Sequence, residues 1–140
     1  MKSIVGTVLL LGGLVGCLGQ PLFAQACQDD EEMSKTTLKD ITDLVGTVKK
    51  ESLGDFERAY HQKSYLSKAG FCLSVIGGLV GCLDKAAQDA TATKEQVDAY
   101  KAKRESYAKL KDKIEQSRNA VKAAEQKDAK ALIEKAALSN

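Results

Sequence analysis

Between Lys68 and Asp84 the chain runs fifteen residues without a charge, from Ala69 to Leu83, reading Ala-Gly-Phe-Cys-Leu-Ser-Val-Ile-Gly-Gly-Leu-Val-Gly-Cys-Leu. A helix that is apolar on every side is either enclosed by protein or placed in a membrane. Fifteen residues rise only about 22 Å, against roughly 30 Å of hydrocarbon in a bilayer. The sequence therefore favours the central helix of a bundle, and the other elements have to be arranged around it. Gly70, Ser74 and Gly78, with Gly77 and Gly81 alongside, have the spacing that lets two helix backbones approach closely, and are expected to form a helix-packing face. A less favoured reading turns the chain at Gly77-Gly78 and pairs Val75-Ile76 with Leu79-Val80 as a strand hairpin.

The segments on either side carry helical periodicity. Leu38, Ile41, Val45 and Val48 recur at steps of three, four and three, and the pattern fades before Gly54, where a break is expected. A second helix with Phe56, Ala59, Tyr60, Tyr65 and Leu66 leads into the uncharged stretch. Thr93 with Gln96 reads as a capping box opening a long helix, whose apolar side is Val97, Tyr100, Tyr107, Leu110, Ile114, Val121 and Ala124. Glu105 with Lys109, and Lys111 with Glu115, supply ion pairs four apart on the wet side. Asp128 either caps a last short helix with Leu132, Ile133 and Ala136 inward, or the helix continues to about Ala137. The expected fold class is all-α, a small antiparallel helical bundle or long helical hairpin over residues 37–140.

The N-terminus reads as an export signal. Met1-Lys2 starts positive, Ile4 to Val15 is an uncharged apolar core, and Pro21 precedes Ala24-Gln25-Ala26 with small residues where a signal peptidase requires them. Cleavage after Ala26 is the first choice, making residues 1–26 a signal peptide. Leu14-Val15-Gly16-Cys17 resembles the lipobox of bacterial lipoproteins. That resemblance implies acylation of Cys17 and ranks second. Gly-Gly-Leu-Val-Gly-Cys-Leu occurs at Gly12 to Leu18 and again at Gly77 to Leu83, where no lipobox can operate. Residues 27–36, which contain Asp29-Asp30-Glu31-Glu32, read as an acidic, disordered lead-in, since a run of carboxylates without alternating ligand spacing makes a poor calcium cage.

Charge is segregated. Residues 28–60 hold nine acids and five bases, a balance of −4, and residues 92–140 hold twelve bases and eight acids, a balance of +4. A nucleic-acid partner would need a concentrated basic face with stacking aromatics, and the pattern supplies neither. Cleavage after Ala26 leaves Cys27, Cys72 and Cys82, an odd number in an oxidising compartment, hence one free or intermolecular thiol. On a straight helix Cys72 and Cys82 lie about 15 Å apart, beyond bridging distance, so they pair only if the chain folds back at Gly77-Gly78; otherwise Cys27 bridges one of them or no bridge forms. His61 reads as a surface residue. No spacing of His and Cys suits a metal or haem, so no catalytic residue, metal or cofactor is assigned.

These readings point to an exported protein, periplasmic or extracellular, that is not an enzyme and acts through protein–protein interaction or self-association. The runner-up is a membrane-associated protein or lipoprotein that uses residues 69–83 or Cys17 at a bilayer. A carrier of a small apolar ligand comes third.

Overall fold

Helix positions along this chain follow from where the larger apolar residues can be covered at once. The computed structural model describes residues 22–50, 54–124 and 126–135, which form α1 (Leu22–Lys50), α2 (Asp55–Ala87), α3 (Lys94–Ala123) and α4 (Gln126–Lys135). The described residues are all-helical and the helices pack on one another.

Extended Gly54 starts α2, Asp55 and Glu57 sit favourably in its positive first turn, and the helix then runs unbroken for 33 residues. It passes straight through Gly77-Gly78, so the strand hairpin does not form. The glycines cost about 1 kcal/mol each in a helix interior. What offsets them is a buried row at steps of four and three: Tyr65, Ala69, Cys72, Ile76, Leu79, Leu83 and Ala86, all at most 2 % exposed. Each large apolar side chain in that row contributes about 1.5–3 kcal/mol by leaving water.

α1 and α3 both pack on α2 and make no close backbone approach to each other, while α4 touches all three. Along α2, Gln62 meets Val121 and Ala124, Tyr65 meets Ser117, Asp84 meets Arg104, and Cys82 meets Cys27. The α3 partners therefore fall earlier in α3 as the contacts move along α2, and the α1 partner of Cys82 lies near the start of α1, so α2 runs antiparallel to both. One buried cluster unites Ile41, Val45 and Val48 of α1, Tyr65 and Ile76 of α2, Ile114 and Val121 of α3, and Ile133 of α4. A second lies at the other end, around Cys27, Leu79, Leu83 and Ala86.

Residues 27–36 correct the expectation of a disordered lead-in, because they are continuous with α1. The buried side of these turns is Cys27 and the polar Ser34, continued by Thr37. Ser34 is fully buried and its hydroxyl donates to the Asp30 carbonyl at 2.8 Å, and Thr37 donates to Ser34 at 3.0 Å. Satisfying the hydroxyls on the helix's own backbone lets them stand in a covered position.

The connections are fixed by short polar contacts. Asp89 accepts from the Thr91 amide and hydroxyl at 2.8 and 2.7 Å, a turn that ends α2's run. Thr93 and Gln96 form the capping box in both directions, at 3.2 and 2.9 Å. At the far end of α3 the side-chain amide of Gln62 donates to the carbonyls of Val121 and Ala124, groups that a helix terminus leaves without an internal partner.

Candidate interaction surface

With one side of α2 committed to the core, positions 56, 60, 63, 67, 71, 74, 78, 81 and 85 fall within about 80° of one another on the opposite side. All nine are exposed. Phe56, Tyr60 and Phe71 are 82 %, 63 % and 60 % exposed, which is unusual for aromatic side chains in one row. Lys63 and Ser67 stand between Tyr60 and Phe71, and beyond Phe71 the row narrows to Ser74, Gly78 and Gly81, a low shelf of nearly bare backbone that ends at Lys85.

This arrangement corrects the expected helix-packing face. A Cβ added at Gly77, Gly78 or Gly81 would meet nothing within 4 Å, and exposed Ser74 lies on the same outward row. Only Gly70 faces a neighbour, its Cβ position lying 3.5–3.7 Å from the Arg118 guanidinium. The reason is geometric. The bulky residues of the segment, Cys72, Ile76, Leu79 and Leu83, are spaced to bury one arc together, which turns most of the small ones outward.

Of the cysteines, Cys27 and Cys82 form a disulfide with α-carbons 5.6 Å apart, and Cys72 is free and buried. Burial pushes the Cys72 thiol up, opposed by a hydrogen bond with Thr37. Cys17 lies outside the described residues, as does residues 1–21 of the export signal. His61 corrects the surface expectation. It is 8 % exposed and stands edge-on to Tyr60, with ring centroids 5.5 Å apart, because it lies one helical turn before Tyr65 on the buried arc. Among the described residues no group of three or more His, Cys, Asp or Glu side chains could hold a metal ion.

On the side away from the bare row, α1 and α3 leave an open crease. Glu31 bridges it, accepting from Lys103 of α3 at 2.8 Å and Tyr107 at 3.4 Å while pairing with Lys35 of its own helix at 3.2 Å. The Lys103 hydrogen bond, opposed by burial and aided by Lys35, holds the Glu31 carboxyl below its usual range. Burial, with Glu31 beside it, pushes the Tyr107 phenol up. Next to this bridge lies a groove of about 490 Å³, floored by Leu38, Tyr107 and Leu110 and rimmed by Lys35, Lys103, Lys109 and Lys113.

Neither the bridge nor the groove was legible from spacing. Glu31 sits in an acidic run that reads as solvated, and its partner lies 72 residues away. The one local trace was Lys35, four residues on. Tyr100 and Tyr107, a heptad apart, did mark the side of α3 that faces α2, where both pack against the cluster around Cys27. What the molecule offers is an outward row of aromatic and small residues interspersed with Lys63 and Lys85, and a lysine-rimmed groove. No protein-family model, curated protein or solved structure matches the chain.

Proposed function

We propose that this is an exported, non-enzymatic helical protein, a small antiparallel bundle that acts by pairing with a protein partner or with itself. The observation that carries this reading is the outward row of α2. Monomeric soluble proteins rarely expose large apolar patches, and such patches mark interaction sites; here three exposed aromatic side chains share one row with Lys63, Ser67 and Lys85, and Phe71 opens the uncharged stretch of that row. Phe56, Tyr60 and Phe71 supply contact area, and Ser74, Gly78 and Gly81 admit a close neighbour.

Export after cleavage at Ala26 is supported by the apolar core and small residues of the N-terminus. The Cys27–Cys82 bond fits the same reading, since such bonds persist in oxidising compartments. Cleavage there would make a disulfide-bonded cysteine the first residue of the mature chain.

One observation favours a second reading, association with a membrane. α2 is long and apolar enough to cross a bilayer, and only 28 % of its most apolar stretch is buried. Acylation at Cys17 would reinforce it.

One experiment separates the two. The processed protein is sized by light scattering and floated with phosphatidylglycerol vesicles, alongside Phe71→Asp. The proposal expects protein complexes or self-association that Phe71→Asp weakens, with the protein left in the aqueous fraction. Recovery of most of the protein with the vesicles rejects it in favour of the membrane reading.

A further inference from the structure

Of the large apolar side chains left exposed among the described residues, Phe56, Tyr60 and Phe71 belong to α2, and the fourth, Met33, stands elsewhere at 52 % exposed. On α1, Asp29, Glu32, Met33 and Thr36 fall within about 100° of one another and all are exposed. The carboxylates of Asp29 and Glu32 make no hydrogen bond or ion pair with any described residue. This is one helix face with an apolar knob between unanswered carboxylates.

The groove between α1 and α3 is its chemical complement. Its floor is apolar, and its rim carries four lysines against two carboxylates that pair with them, Glu31 and Glu105, a local excess of +2. Lys113 has no ion pair among the described residues. The Lys109–Glu105 pair is highly exposed and held at little gain, so Lys109 can be recruited by another acid.

What fits such a crease is shown one step along it. α4 is a short helix that contacts α1, α2 and α3, burying Ala129 and Ile133 with Leu132 packed beside them. An amphipathic helix thus already fills one end of the space flanked by α1 and α3, and the lysine-rimmed part stays open.

From these observations we infer that two copies of this chain pair by seating the acidic α1 face of each, Asp29, Glu32 and Met33, in the lysine-rimmed groove of the other. Both elements lie on every copy, so a two-fold axis makes the contact reciprocal, the commonest closed arrangement of identical chains. Met33 meets the apolar floor while the carboxylates meet Lys109 and Lys113. This rests on the reading that the protein works by association, but it uses a different surface from the outward row of α2.

The test is sedimentation velocity on the processed, disulfide-intact protein at low and high sodium chloride, with circular dichroism confirming that each variant is folded. The wild type is expected to form a dimer whose dissociation constant rises on the order of tenfold as salt screens the contact. Lys109→Glu/Lys113→Glu and Asp29→Lys/Glu32→Lys should each be monomeric alone. Mixed in equal amounts they should form a heterodimer, because each groove then meets a face of opposite sign. A wild type that stays monomeric at low salt overturns the inference, as does a mixture that does not pair. A dimer abolished by Phe71→Asp but untouched by both charge reversals moves self-association to α2, overturning this inference while sparing the proposed function. Dodecanoate binding to a monomeric wild type, lost in the lysine variant, reassigns the groove to an anionic amphiphile and also overturns it.

Discussion

Cys27 and Cys82 join the first turns of α1 to the last turns of α2 across 55 residues of sequence. Closing a loop of that length removes conformational freedom from the unfolded chain worth about 4 kcal/mol in the chain-entropy treatment. Cys27→Ser/Cys82→Ser should therefore lower the unfolding free energy by about 2–4 kcal/mol, read from urea denaturation. A variant as stable as the wild type would show that the bond constrains nothing the packing does not already hold.

Gly78 faces open space on a helix, with no positive backbone angle to preserve. Replacing it by Ala adds a methyl group that meets nothing and restricts the unfolded chain. Gly78→Ala should stabilise the isolated protein by about 0.5–1 kcal/mol, measured by thermal or urea unfolding. A loss of stability would mean that the α2 row is covered in the protein as it exists in solution.

The Glu31 carboxyl is held below its usual value of 4.5, first by the Lys103 hydrogen bond. A group whose folded value is depressed adds stability that is present above the unfolded value and lost as the pH falls through the folded one. Wild-type melting temperature should accordingly fall below about pH 4.5, and Glu31→Gln should show a shallower fall. Asp89 and Glu105 are depressed in the same direction by their own partners, so only the difference between the two proteins isolates Glu31. Parallel curves would deny the bridge any part in acid stability.

Cys72 is fully buried and its thiol is pushed up by that burial, so little thiolate is present near neutral pH. In a protein that begins at Cys27, a maleimide should leave Cys72 unlabelled while native and label it once urea unfolds the chain without reductant. Rapid labelling of the native protein would place Cys72 in contact with solvent.

Much of the architecture was legible because it is local. The Gly54 break, the Thr93–Gln96 capping box and the Glu105–Lys109 pair at 2.8 Å all depend on neighbours within a turn, and sequence spacing reports such neighbours directly. Lys111 and Glu115, by contrast, form no ion pair, so the four-residue spacing was necessary there without being sufficient. The acidic lead-in was misread because its buried side is only Cys27 and Ser34, and a hydropathy pattern counts the Ser34 hydroxyl as wet. The packing face was misread for a different reason. Small residues permit a close neighbour but do not say which side of the helix the larger ones will turn toward the core. The Glu31–Lys103 bridge, Gln62 at the end of α3 and the lysine rim all depend on which helices lie side by side, and no single-helix pattern contains that.

α1 and α3 pack on α2 and not on each other's backbone, and α2 follows α1 in the chain. A chain delivered N-terminus first presents α1, then α2, and these two already contain both sulfurs of the disulfide. The bond can close before α3 has emerged, leaving a tethered pair of helices with the sites for α3 and α4 still open. Until α3 and α4 arrive, the part of α2's apolar arc that they cover stands open to water.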